Sequence, residues 1–277
     1  MPEMLNKSAE QLRRGVLIVN ADDWGRDRNT TDRILDCVKL GSVSSTSAMV
    51  FMEDSQRAGL LAREHQVDTG LHLNFTTPFS GQLNSTHLLN HQNRIARYLL
   101  RNRLAQIIYH PGLVSSFEYV VAAQIDEYER VYGTSPERVD GHHHMHLCAN
   151  VIFGKLLPEG VVARRNFTFS RGEKGRLNRF YRAYIDRQVA KRNPLVDYLF
   201  SIVPVDDLKR LRKIFVLANS AVVELETHPV LPIEYEFLTS GSIFSGLNGV
   251  EIASGFIGPL TSARERRRNH QVPFIEK

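Results

Sequence analysis

A chain of 277 residues, 42% hydrophobic and 23% charged, can bury a large core as one big domain or two modest ones, and its composition excludes disordered and collagen-like classes. The longest apolar runs fall far short of the roughly 18 residues that cross a bilayer, the polar first 14 residues carry no export signal, and two cysteines, Cys37 and Cys148, argue for buried thiols in a reducing, cytoplasmic compartment rather than a disulfide framework. The net charge of +5 is local: residues 164–192 hold ten Lys/Arg against Glu173 and Asp186, which leaves the rest acidic and excludes a generally basic nucleic-acid binder.

In chain order, Val16-Leu17-Ile18-Val19 reads as a fully buried strand that ends on Asn20-Ala21-Asp22-Asp23. Ile34, Leu35 and Val38 recur at helical spacing behind the capping candidates Thr30 and Thr31, which predicts a helix over 30–40. A second strand is predicted at 44–50, a second helix at 54–63, and a third strand at 67–74, again ending on polar residues. Residues 117–132 predict an amphipathic helix closed by Gly133. Further strands are predicted at 138–142, 161–167, 221–226 and 250–253. No repeat, low-complexity tract or linker divides the sequence. Strand followed by helix, about seven times over, predicts a single parallel β/α domain over 1–277, an open or closed barrel whose polar clusters lie just past the strand ends. In such barrels that rim is where active sites assemble.

Four clusters meet this description: Asp22-Asp23, His72 within Gly70-Leu71-His72-Leu73-Asn74, the run Asp140-Gly141-His142-His143-His144-Met145-His146, and Glu226-Thr227-His228-Pro229. Each has a plain structural reading. An Asp-Asp pair caps turns, a histidine between leucines is a hydrogen-bonded core residue, and His228 before proline is a loop residue. The histidine run resists that reading, because adjacent imidazoles repel when protonated, whereas neutral imidazole is the commonest metal ligand. If extended, the run sends His142, His144 and His146 to one face; if helical, it pairs His142 with His146. Asp, His and His around a divalent ion leave a coordination position open and lower the pKa of a water there. A second carboxylate can take that water's proton and a further imidazole can protonate a leaving group, which is a parts list for amide or ester hydrolysis.

These motifs, beginning with Leu17-Ile18-Val19-Asn20-Ala21-Asp22-Asp23-Trp24-Gly25 and running in order to about residue 230, resemble the YdjC-like carbohydrate deacetylases. The resemblance implies a deformed TIM-like (β/α) barrel that removes N-acetyl groups from amino sugars with a divalent metal, Mg or Zn, and releases acetate. By position, Asp23, His72 and His142 would bind the metal, with His146 the alternative from the run. Asp22 would be the general base and His228 the proton donor to the departing amine. Arg164 or Arg165 would orient a carboxylate or lie at the surface, Arg164 being a substrate-binding candidate, and Trp24 would shape the pocket. Two positions depart from the family pattern: Trp24 stands where Phe is common, and Gly141 replaces the usual Ser. The resemblance also implies a homodimer.

The basic segment around 170–215 reads as a helical insertion, with Phe180, Tyr181, Tyr184, Ile185 and Val189 at helical spacing and Arg179, Arg182, Arg187 and Lys191 on other faces. Its apolar side is expected to pack on the barrel; the sharper alternative is a surface for an anionic or lipid-linked sugar, with peripheral membrane contact. The run Arg264-Glu265-Arg266-Arg267-Arg268 reads as a solvated helix end. A metal-dependent esterase or phosphoesterase, or a non-enzymatic protein binding a membrane or nucleic acid, are the competing functions. No RNA-binding aromatic motif, zinc finger or helix-turn-helix pattern supports nucleic acid as a partner.

Overall fold

The apolar run at the start folds as β1 (Val16–Trp24), with every residue after the first buried, as in a parallel strand covered on both faces. The computed structural model describes residues 15–82, 84–169, 172–246, 250 and 252–256. β1 is followed by β2 (Ser45–Ala48), β3 (Thr69–Leu73), β4 (Arg138–Gly141), β5 (Val162–Ala163), β6 (Tyr198–Ser201) and β7 (Val222–Thr227). All pair in parallel in one sheet of order β5-β4-β3-β2-β1-β7-β6. The helices are α1 (Arg28–Lys39), α2 (Ser55–Glu64), α3 (Thr86–Leu99), α4 (Val114–Tyr132), α5 (Ala149–Phe153), α6 (Arg176–Ala190), α7 (Leu208–Ala218), α8 (Pro232–Thr239) and α9 (Ser242–Gly246). None is long and apolar enough to cross a membrane, among the described residues. Cys37 and Cys148 are both free and buried.

The sheet curls into a barrel open on one side. Arg164, directly after β5, reaches Glu224 and Glu226 of β7 at 2.7 and 3.1 Å, although four strands separate β5 from β7 in the sheet. The gap between β5 and β6 is spanned by coil hydrogen bonds, Ala163 N–H to the Pro194 carbonyl (2.9 Å) and Thr168 N–H to the Leu199 carbonyl (2.8 Å).

Alternate residues of each strand face inward, and the interior changes character from bottom to top. Ile18, Val162, Val196, Val222 and Phe256 form a small apolar plug. Above it the same inward positions become Asn20 and Asp22 on β1, Ser45 and Ser47 on β2, Glu224 and Glu226 on β7, and Arg138 and Asp140 on β4, all buried. The much larger apolar core lies between the sheet and its helices.

Gly70 is dictated by this interior. The Arg138 guanidinium crosses over it to donate to Ser45 Oγ (2.7 Å) and the Thr46 carbonyl (2.6 Å), and a Cβ at position 70 would lie 2.7 Å from Arg138 Cζ. Gly70→Ala is therefore expected to destabilise the protein by about 1–3 kcal/mol, read from the urea midpoint; an unchanged midpoint would refute the contact.

Three sequence expectations are corrected. The strand predicted at 250–253 is a single parallel bridge, Leu17 to Ile252, and the seventh strand is β6, which the sequence reading absorbed into the basic segment. That segment is thus not an insertion around 170–215: it supplies α6, β6 and the start of α7, a unit of the barrel itself. The cap of α1 is Asp27, whose carboxylate accepts the Thr30 N–H at 2.8 Å, rather than Thr30 or Thr31. Residues 1–14 and the 264–268 run lie outside the described residues.

Candidate metal centre

Two consecutive carboxylates on a regular strand point to opposite faces. β1 avoids this with a register shift between Ala21 and Trp24 in its ladder with β2, and Asp23 takes φ +72°. A bulge with one residue in the left-handed region re-aims a side chain at the cost of local strain. It brings Asp22 and Asp23 to the same rim.

Asp23 Oδ1 lies 2.8 Å from His142 Nδ1 and 3.4 Å from His72 Nε2. His72 projects from β3. His142 opens a short 3-10 turn directly after β4, in which His143 and His144 have φ near +55°. That turn answers the question left open by the sequence: the histidines neither share one face nor pair as i and i+4. His142 faces Asp23, while His144 turns to Glu226 (3.1 Å) and His143 to Thr76 (3.0 Å). His146 is directed away, its Nε2–H donating to the Arg164 carbonyl at 3.0 Å. Burial and the nearby His144 push the His146 pKa down to about 3, so it stays neutral. Among the described residues it belongs to no group of carboxylate and histidine atoms that converge closely enough for a shared ion, so the geometry favours His142 over it. His146 also accounts for Gly141, since a Cβ there would meet the His146 backbone nitrogen at 3.0 Å.

The residues present fit a divalent cation. Asp23 Oδ1 and His72 Nε2 are buried and face one another, and neither makes a well-aligned hydrogen bond. The other His72 nitrogen, Nδ1, is 2.7 Å from Asp140 Oδ1, so that in the neutral ring the proton sits on Nδ1 and the Nε2 lone pair is aimed at Asp23. A carboxylate behind a ligating histidine is the usual support of a metal site. Asp140 is held in turn by Ser47 Oγ (2.5 Å), Arg138 (3.2 Å) and Arg164 (3.0 Å).

Five buried carboxyl groups, Asp22, Asp23, Asp140, Glu224 and Glu226, surround two buried guanidiniums, Arg138 and Arg164. Arg26 holds the outer oxygen of Asp23, Oδ2, at 2.7 Å. Burial works against charge on Asp23, but His142 and His72 hold its pKa well below the ordinary carboxylate range. Burial likewise disfavours a charged His72, yet Asp22 and Asp140 push its pKa up to about 10.

Among the described residues, two other carboxylate–histidine groups have the spacing for a cation, Asp22-Glu226-His228 and Asp22-His72-Asp140. Both contain carboxylates already neutralised by Arg164. Its Nη1 and Nη2 grip the two Asp22 oxygens at 2.6 and 2.7 Å, its Nη1 and Nη2 also reach Glu226 at 3.1 Å and Asp140 at 3.0 Å, and its Nε donates to Glu224 at 2.7 Å. Only the Asp23-His72-His142 group is free of an adjacent guanidinium on its inner oxygen.

Asp22 is further fixed by Asn20 Nδ2 at 2.8 Å. His228, whose side chain is 31% exposed, sits at the mouth with Nε2 3.9 Å from Asp22 Oδ2. Its backbone N–H donates to Glu234 at 2.6 Å, which ties the loop after β7 to α8.

Two sequence expectations fail here. Arg164 is 1% exposed and engaged by four carboxylates, so it orients Asp22 and has no surface for a substrate. Arg165 turns outward to Asp186 (3.2 Å). Trp24 is completely buried, so its ring belongs to the core and not to a pocket wall. Conversely, the sequence reading gave no role to Arg138, Glu224, Glu226 or Glu234. The signal was present in Val222-Val223-Glu224-Leu225-Glu226, where carboxylates at alternate positions of an apolar strand must share one buried face and therefore need a cation.

Burial raises the Glu224 pKa to about 7 despite Arg164 beside it. A carboxyl that binds its proton more tightly when folded gives stability that is full below its ordinary pKa of 4.5 and is lost as pH rises through 7. The wild-type protein is expected to lose urea resistance relative to Glu224→Gln between pH 4.5 and 7; parallel profiles would refute the shift.

A parallel β/α barrel with its charged cluster at the carboxyl rim of the strands defines the class. The chain belongs to the YdjC-like protein family, whose model matches residues 16–241. It is 27% identical over 157 residues to a carbohydrate deacetylase of Danio rerio, covering 54% of this chain and 49% of that protein. It is 30% identical over 133 residues to a chitooligosaccharide deacetylase of Proteus mirabilis (strain HI4320), covering 48% and 50%. The chain thus spans about half the length of the curated relatives it matches. Among solved structures, a protein of Enterococcus faecalis V583 described as a cellobiose-phosphate cleavage protein superposes with TM-score 0.61, covering 87% of this chain and 97% of that one at 18% identity, a likeness of fold alone.

Proposed function

We propose that the protein is a metal-dependent N-deacetylase that hydrolyses the acetamide of an acetylated amino sugar and releases acetate. The observation that carries this reading is the convergence of Asp23 Oδ1, His72 Nε2 and His142 Nδ1 beside Asp22 and His228. The names of the deacetylase relatives support an acetylated saccharide as substrate.

One carboxylate and two imidazoles suit zinc better than magnesium, which favours oxygen ligands. Asp23, His72 and His142 would hold a divalent cation, which would serve as a Lewis acid toward the acetamide carbonyl and the attacking water. Asp22, oriented by Asn20 and the Arg164 fork, takes the proton of the attacking water. His228, on the exposed side of Asp22, delivers a proton to the departing amine. Asp140 holds His72 in the tautomer that presents Nε2.

Acetate release should be screened across N-acetylated mono- and oligosaccharides, nucleotide sugars and lipid-linked glycans, with and without chelator. At least one substrate is expected to release acetate, with activity abolished by chelation and restored more fully by zinc than by magnesium. Acetate from none of them, or release indifferent to chelator, would overturn the reading.

A further inference from the structure

The helical spacing of apolar residues in α6 predicts one buried stripe, but the helix divides them between two sides. Ile185 and Val189 are buried against the barrel, whereas Leu177, Phe180 and Tyr184 are 86%, 68% and 48% exposed. At 100° per residue, Arg176, Phe180, Ala183 and Arg187 lie along one outward line, with Leu177 and Tyr184 beside it. This outward side carries no carboxylate. Asp186, the single acid of α6, is buried and accepts from Asn166 and Arg165. Phe and Leu side chains this exposed between arginines are costly in water and are the pattern of a helix that lies in a lipid interface.

A second segment repeats the pattern. Between Asp68 and Glu118 the sequence has no acidic residue. Within that stretch Leu100 and Leu104 are each 59% exposed, next to the exposed Arg101 and Arg103. The segment is tied to α5 by reciprocal hydrogen bonds, His110 N–H to Asn150 Oδ1 (2.9 Å) and Asn150 Nδ2 to the His110 carbonyl (3.0 Å). α5 also contacts α6, so both arginine-and-apolar surfaces flank the same short helix. The loop leading to α6 starts at Arg164, and its Phe167 ring lies 4.5 Å from that of His144 at the site.

We propose that this surface, centred on the outward side of α6, docks the protein on an anionic lipid bilayer, with Leu177 and Phe180 inserted among the acyl-chain ends and the arginines on the headgroups. Charge complementarity selects this occupant: the outward side of α6, cationic and without a carboxylate of its own, meets the negative potential of the bilayer, and the interleaved large apolar side chains gain burial that a nucleic acid would not give.

The test is flotation of the purified full chain with vesicles of phosphatidylcholine alone and of phosphatidylcholine mixed with phosphatidylglycerol. Binding is expected to the anionic vesicles at low salt, with release as ionic strength rises. Leu177→Ser with Phe180→Ser should weaken partitioning by about tenfold or more, and Arg176→Glu with Arg187→Glu should abolish the preference for anionic lipid. Circular dichroism of each variant, expected to match the wild type, checks that it folds. No flotation with anionic vesicles at low salt would overturn the proposal, as would equal binding to both vesicle types. So would a dimer, seen by light scattering, that Leu177→Ser with Phe180→Ser splits, since the face would then be a subunit interface. No arm depends on deacetylation.

Discussion

Asp22→Asn is expected to lower acetate release by about 10²–10⁴-fold while bound zinc, measured by atomic absorption, stays at the wild-type level. Asparagine keeps the shape of the side chain, and its oxygen can still accept from Arg164, but it cannot take a proton from water. Asp22 is not part of the Asp23-His72-His142 group, so cation affinity should not follow its loss. Activity within a few-fold of wild type would remove Asp22 as the base. Loss of zinc together with activity would place it among the ligands instead.

Arg164→Met is expected to cost about 3–5 kcal/mol of stability, the penalty for breaking a buried ion pair and leaving its partners unpaired. Here the deletion exposes Asp22, Asp140, Glu224 and Glu226 to one another in a dry interior. Their mutual repulsion pulls apart β5 and β7, which Arg164 joins across the opening. Urea denaturation measures the loss. Arg164→Lys should rescue little of it, because an ammonium cannot grip both Asp22 oxygens while donating to Glu224. Adding Glu224→Gln to Arg164→Met should recover part, a coupling that a double-mutant cycle resolves. If Arg164→Met unfolds no more readily than wild type, the guanidinium is not the strut described here.

The strand-and-helix alternation was legible in the sequence because it depends on local period: β1, α4 and the polar ends of β3 and β4 fall close to where the pattern puts them. The rim was legible for the same reason, since a strand end is a local event. What escaped was set by long-range geometry. β6 is a short strand, Tyr198–Ser201, only one of whose residues is fully buried, at the sheet edge, so its sequence lacks the apolar run that marked β1. Trp24 and Arg164 looked like pocket residues because they adjoin the motif and a strand end. Whether such a side chain points to solvent or to the interior depends on the bulge at Asp23 and on the curl of the sheet. The pairing of Arg164 with carboxylates 60 and 142 positions away has no local trace. His142 and His146 could not be told apart, because the two left-handed residues between them obey neither the strand nor the helix period.

The opening between β5 and β6 acts as the clasp of a hoop. Every other pair of neighbouring strands is laddered, so the girth of the hoop is fixed everywhere except where Pro194, Thr168 and Leu199 fasten it. The coil on either side of the clasp can lengthen or shorten without re-registering any strand. A change of length in that coil would reshape the opening between β5 and β6 and leave Asp23, His72 and His142, carried by β1, β3 and the turn after β4, where they are.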